Sequence, residues 1–292
     1  MACIQKTLRG LGVLRQLPRE STVNQTYCRY ASSYKYLQVD LDKKTKVAHL
    51  TLARKPANSL NCDMMKEIAM ATNELDQDRD CKGIIINSCV PNIFSAGLDL
   101  TELYQAKELF FQDFWRSLQA MFSTIYGTKV VTMAAIEGHA PAAGCIIALA
   151  TDYRVMSEGK FNIGLNESML GIPMNFWVKD AFIATCGQRE GERALQLGQM
   201  FIPSTALQIG LVDEVVPQEL TLPTVQKHMK QWVKVPGGAR GLTKSLIRQQ
   251  AMDNLKAKAD EDLLIMTRHM LSQPIQNTIG AYLENMTKKS KR

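Results

Sequence analysis

Two runs without apolar–polar alternation, Gly83-Ile84-Ile85-Ile86 and Val130 to Ile136 (apolar but for Thr132), constrain the fold of this 292-residue chain more than any other feature. A strand with one wet face alternates apolar and polar residues. A run without alternation has both faces covered, as a parallel strand between helices does. Each run ends in a turn of small residues that leads into a helix: Ser95-Ala96-Gly97 after the first, Ala140-Pro141-Ala142-Ala143-Gly144 after the second. Strand, helix, strand order implies a right-handed crossover and a partly parallel sheet, hence an α/β fold. Ligands of such sheets sit beyond the carboxyl ends of the strands, which is where these two turns fall.

The rest of the chain fits that frame. Tyr36–Asp42 and Val47–Leu52 alternate about a polar turn and predict a hairpin. After the loop ARKPANSL, Asp63 can cap a helix to about Asp76 whose apolar stripe includes Met64, Met65, Ile68 and Leu75. Asp99 caps another, and Glu108–Tyr126 reads as a helix with Phe110, Phe114, Leu118, Met121, Phe122 and Ile125 in the core. The spacing predicts a buried helix over Cys145–Ala150, a strand at Tyr153–Met156 and a last strand at Leu211–Val216. Gly187, Gly198 and Gly210 mark helix ends, and from Gln218 onward the pattern is helical, broken at Pro236-Gly237-Gly238 and Pro274. Residues 34–200 are thus expected to form the catalytic core and 201–292 a helical region. No apolar run reaches the roughly 18–20 residues of a membrane span.

Charge argues against a nucleic-acid partner. The net charge is +7, but residues 1–33 hold five cations against one acid, and residues 288–292 hold four more cations. The body between them is therefore close to neutral, whereas a nucleic-acid binder carries its cations on the folded surface. Residues 1–30, with Arg, Ser and Thr, one acid and apolar residues at helix-like intervals, have the pattern of a mitochondrial presequence; a disordered basic tail is the other reading. The seven cysteines form no C-x-x-C pair and the four histidines lie far apart, so neither a metal site nor a disulfide framework is expected. Reduced thiols agree with a matrix or cytosolic address.

Two elements carry possible chemistry. The first amides of the helix after Gly144 lack intrahelical partners and favour negative charge, and small side chains let a ligand approach them. A lone acid, Glu167, follows the next strand. By pattern alone it reads as an exposed loop carboxylate. Paired with an oxyanion site it could move a proton next to a carbonyl.

FSAGLDL at 94–100, the small-residue turn at 138–144, ExxLGIP at 167–173 and ALQLG…GLVDEVVP at 194–217 occur in an order and spacing that resembles the crotonase, or enoyl-CoA hydratase/isomerase, superfamily over residues 34–292. The segments GLNESxLGI, PxxFWxKD and GERALQLG resemble its isomerase branch. The resemblance implies a crotonase-like spiral of strand-strand-helix units with a C-terminal helical trimerisation region, and a homotrimer or dimer of trimers. It implies an oxyanion hole from the amides of Leu98 and Ala143, where relatives usually have Gly at the second position, and a catalytic Glu167. Substrate contacts are expected from Ala96, Gly97, Leu98, Asp99, Leu100, Ala143 and Asn166. Coenzyme A contacts are expected near Arg54, Lys55 and Ala57, although Arg54 and Lys55 also read as a solvated turn. Hydratases of the superfamily carry a second Glu where this chain has Ile146, so isomerisation of a 3-enoyl-CoA to trans-2-enoyl-CoA in the mitochondrial matrix is expected. No cofactor beyond the coenzyme A of the substrate is implied. A hydratase or an RNA-binding homologue are the other readings.

Overall fold

A computed structural model describes residues 27–29 and 34–290. Strand β1 (Tyr27–Arg29) pairs antiparallel with β2 (Leu37–Asp42), which forms the expected hairpin with β3 (Val47–Leu52). Helix α1 (Cys62–Gln77) crosses over to β4 (Gly83–Ser88), parallel to β3. From there one unit repeats. β4 is followed by the short β5 (Asn92–Ile93), α2 (Leu100–Leu103) and α3 (Glu108–Gly127). β6 (Val131–Ile136) is followed by β7 (Gly138–Pro141) and α4 (Ala143–Ala150). β8 (Tyr153–Ser157) is followed by β9 (Ile163–Gly164), a 3-10 turn at Glu167–Leu170, α5 (Phe176–Cys186) and α6 (Gln188–Leu197). The first strand of each unit joins one parallel sheet and the second joins another, so the chain advances as a spiral. β10 (Met200–Phe201) closes the small sheet, α7 (Pro203–Gln208) follows, and β11 (Glu214–Val216) is the last strand of the seven-stranded sheet. Helices α8 (Thr221–Trp232), α9 (Gly237–Met270) and α10 (Gln273–Ser290) end the fold.

The runs without alternation have a direct cause. Ile84, Ile86, Ala134 and Ile136 point into the main core with α1, α3, α4, α5 and α9. Their neighbours Ile85, Val131, Met133 and Ala135 point the other way, against Val225 and Met229 of α8. At about 1.5–3 kcal/mol per fully buried aliphatic side chain, both faces of these strands are strongly driven inward. The long α9 docks through a buried ion cluster: Asp152 accepts from Lys244 at 2.8 Å and Arg248 at 2.9 Å. Arg248 also donates to Tyr126 O and Ala150 O, the last carbonyls of α3 and α4.

Several local expectations change. The N-cap of α1 is Asn61, whose Oδ1 accepts from Met64 N, and Asp63 lies in the first turn instead. Phe111, not Phe110, faces the core; Phe110 is 39% exposed. The segment 138–141, read as turn, is strand β7, because the second sheet supplies partners the pattern does not reveal. Residues 201–232, grouped by the sequence with the helical region, include β11 and α8, which belong to the sheet and its cover. The segment expected to be a presequence lies outside the described residues apart from β1. No helix among the described residues is long and apolar enough to cross a membrane.

Candidate active site

The loop after β3 templates the loop after β4. Asn58, buried and at φ 49°, donates through Nδ2 to Ser88 Oγ and Phe94 O and accepts Arg54 N–H on Oδ1. Ala96 N–H donates to Ala57 O, Leu60 N–H to Gly97 O, and Asp99 N–H to Leu60 O. These bonds occupy both neighbours of Leu98 and leave its own N–H without a protein partner among the described residues. Asp99 then caps α2: Oδ1 accepts from Thr101 N–H, and Oδ2 accepts from Arg54 Nη2 at 2.6 Å.

The second turn packs against the first. Gly97 stands at φ +87°, and a Cβ there would lie 3.0 Å from Ala142 Cβ, 3.1 Å from Pro141 O and 3.4 Å from Ala143 N. A Cβ on Gly144 would lie 2.6 Å from Ser95 O. Both glycines are required by close approach, which brings the backbone of Leu98 and Ala143 together. Ala142 itself is held at φ 49°, a conformation costing a non-glycine residue about 1–3 kcal/mol, and its N–H is pinned to Gly164 O at 2.8 Å. The result is that Ala143 opens α4 with no side-chain cap and, among the described residues, no partner for its N–H. The Ala143 amide thus stands at the positive end of a buried helix, and a Cβ on Gly97, the residue before Leu98, would lie 3.4 Å from its nitrogen.

Glu167 arrives from the third strand pair. Gly164, whose carbonyl holds Ala142, lies three residues before it, and Glu167 begins the 3-10 turn closed by Gly171 in the left-handed conformation. Part of the residue remains accessible, but the Oε2 atom is buried and has no hydrogen-bond partner among the described residues. Burial pushes the carboxyl up to about 7, opposed only by its own backbone N–H. The group therefore ionises near neutral pH, which suits a base that must both take and return a proton. Cys145 beside it stays a neutral thiol, raised by burial first and by the Glu167 charge next. Ile146 is 3% exposed in the first turn of α4, so an apolar group stands where a second acid would.

The other expected contacts are placed as follows. Ala96 is exposed, Leu100 and Asn166 are half-buried, and Gly97, Asp99 and Ala143 are buried along the two turns. Arg54, one of the residues expected near coenzyme A, donates through Nη1 to Ser59 O and through Nη2 to Asp99 Oδ2. The Ala57 carbonyl holds Ala96 N–H, and Lys55 is exposed. Trp177 packs on Phe122, ring centroids 4.8 Å apart, and donates to Asp262 at 3.2 Å; it fastens α5 to α3 and α9. The supporting roles of Arg54, Asn58 and Asp262 have no local signature, since each also bonds to a distant segment: Arg54 to Asp99, Asn58 to Ser88 and Phe94, and Asp262 to Trp115 and Trp177. Among the described residues no group of three His, Cys, Asp or Glu comes together to hold a metal.

The family described as enoyl-CoA hydratase/isomerase matches residues 42–291. Mitochondrial enoyl-CoA delta isomerase 1 of mouse is 38% identical over 256 residues, covering 87% of this chain and 89% of that protein. Short-chain-enoyl-CoA hydratase of Clostridium acetobutylicum is 30% identical over 184 residues, covering 62% and 70%. The crystal structure of human mitochondrial delta3-delta2-enoyl-CoA isomerase superposes with a TM-score of 0.86 at 36% identity, covering 87% of this chain and 99% of that one.

Proposed function

The chain belongs to the enoyl-CoA hydratase/isomerase family, and we propose that within it this protein moves the double bond of a cis- or trans-3-enoyl-CoA to give trans-2-enoyl-CoA. The observation that carries this reading is one buried, unpaired carboxyl oxygen on Glu167, with Ile146 where hydratases of the family carry a second acid. Glu167 takes the C2 proton, and the electron pair passes to the thioester oxygen. The Leu98 and Ala143 amides stabilise that oxyanion; one such donor is worth about 10²–10³ in rate. The same carboxyl then delivers the proton to C4, which takes it with the C3=C4 π pair; the C1=C2 pair of the dienolate becomes the C2=C3 bond, the oxygen pair restores the thioester carbonyl, and no water is added. The apolar Ile146 leaves nothing to hold and activate a water, which disfavours hydration.

The names of the similar isomerases support a mitochondrial setting. With residues 1–30 as a presequence, the matrix and fatty-acid β-oxidation are the proposed context. The exposed apolar residues Leu242, Leu246 and Ile247 on α9 support assembly as a homotrimer or dimer of trimers. The substrate brings its own coenzyme A, bound near Arg54, Lys55 and Ala57, and neither a further cofactor nor a nucleic acid takes part. The test is to incubate the protein with 3-hexenoyl-CoA and follow the conjugated 2-enoyl thioester by absorbance. Rapid water addition to crotonyl-CoA without isomerisation would overturn the reading.

A further inference from the structure

Neither reacting group of the proposed site aims itself. The Glu167 Oε2 has no hydrogen bond among the described residues, and the Leu98 amide is part of a backbone loop, so each points where its own segment points. Both segments lean on one corner of the C-terminal helices. On the amide side, the helix after Leu98 is only four residues long, too short to hold its own shape. Just beyond its C-cap, Tyr104, stands Gln105 at φ 54°, a strained position for a residue that is not glycine. Gln276 of α10 pins this turn. Its Oε1 accepts Gln105 N–H at 2.6 Å, and its Nε2 donates to Leu103 O at 3.2 Å and to Met270 O, the end of α9, at 2.7 Å. Tyr104 packs so closely beneath α10 that a Cβ on Gly280 would lie 2.9 Å from its ring.

On the acid side, His269 at the end of α9 donates from Nε2 to Gly171 O at 2.9 Å. Gly171, at φ +72°, closes the 3-10 turn that Glu167 begins, and its N–H bonds back to Ser168 O. Ile275 Cδ1 lies 3.2 Å from where a Gly171 Cβ would be. The two pins are parts of one stiff corner: Ser272 Oγ donates to His269 O, and Gln276 N–H donates to Ser272 O.

We infer that the α9–α10 corner is a clasp setting the distance between the Glu167 carboxyl and the Leu98 amide, with Gln276 and His269 as its positioning residues. The inference rests on the reading of Glu167 as base and Leu98 as oxyanion donor. A misplacement of about 1 Å at a reacting group costs up to about 10²-fold in rate, so loss of a pin acts on turnover rather than on binding.

Gln276→Met keeps the volume and removes all three hydrogen bonds. It is expected to lower kcat for 3-hexenoyl-CoA by about tenfold to a hundredfold while KM stays within about threefold. His269→Phe loses the donor to Gly171 and should fall similarly. His269→Gln, whose Nε2 can reach the same carbonyl, should recover most of the loss. Because the pins act as a unit, the double variant should cost about as much as the worse single one. Unchanged kcat in both Gln276→Met and His269→Phe, or a loss confined to KM, overturns the clasp. If Gln276→Met does not fold, the histidine pair decides: loss in Phe with recovery in Gln supports it, and no difference between them overturns it. A wild-type protein without isomerase activity would instead overturn the reading of the site, and the clasp with it.

Discussion

Replacing Glu167 by glutamine should make the protein more stable and inactive at once, and the size of the gain follows from the burial of one oxygen. In the folded chain the carboxyl titrates at about 7, against 4.5 for an ordinary glutamate. The folded value lies above the unfolded one, so folding favours the neutral acid. The cost of ionising it is absent well below pH 4.5, grows as pH rises from 4.5 to 7, and is constant above. At about 1.4 kcal/mol for each pH unit between the two values, the full cost is about 3 kcal/mol. Glutamine has the same shape and no charge, so Glu167→Gln should be about 2–3 kcal/mol more stable than wild type at pH 8 and less than about 1 kcal/mol more stable at pH 5. Denaturant unfolding of both proteins at the two pH values, at one protomer concentration, measures this. The same variant should bind acyl-CoA and fail to turn it over. An equal shift at both pH values, or none at pH 8, would mean that Oε2 meets water or a partner and that the dry-carboxyl argument is wrong.

The remaining expectations concern the same groups and their supports. The rate on 3-hexenoyl-CoA under kcat/KM conditions should rise with pH through about 7, because Glu167 must be ionised to accept the C2 proton; a profile flat from pH 5.5 to 8 would contradict this. Gly97→Ala should lose about 10²-fold in kcat, since a Cβ at φ +87° must push the Ala142–Ala143 turn away and separate the two amides; steady-state kinetics will show it. Asp152→Asn should destabilise the chain by about 3–5 kcal/mol, because it leaves Lys244 and Arg248 buried without their carboxylate, and chemical denaturation reads the loss.

What the residues determine by themselves is which faces are dry and where the chain turns. Ile84 to Ile86 and Val131 to Ile136 can be satisfied only with cover on both sides, and small residues after each strand can only be turns that admit a close neighbour. Those constraints act between residues a few positions apart, so periodicity exposes them. The roles expected of Leu98, Ala143 and Glu167 came instead from the resemblance of their motifs to a family, which periodicity does not supply. Desolvation was legible in neither. Glu167 reads as an exposed loop acid because its own segment carries no sign of burial; that its Oε2 is buried appears only in the folded chain. Arg54, which reads as a solvated cation, turns inward because Asp99 lies across from it, 45 positions away. Gln276 and Gln105 meet across 171 positions. A dielectric environment is a property of everything packed around an atom, so the chemistry of the carboxyl was decided by the tertiary structure, while the strands and turns that carry it were already written in local order.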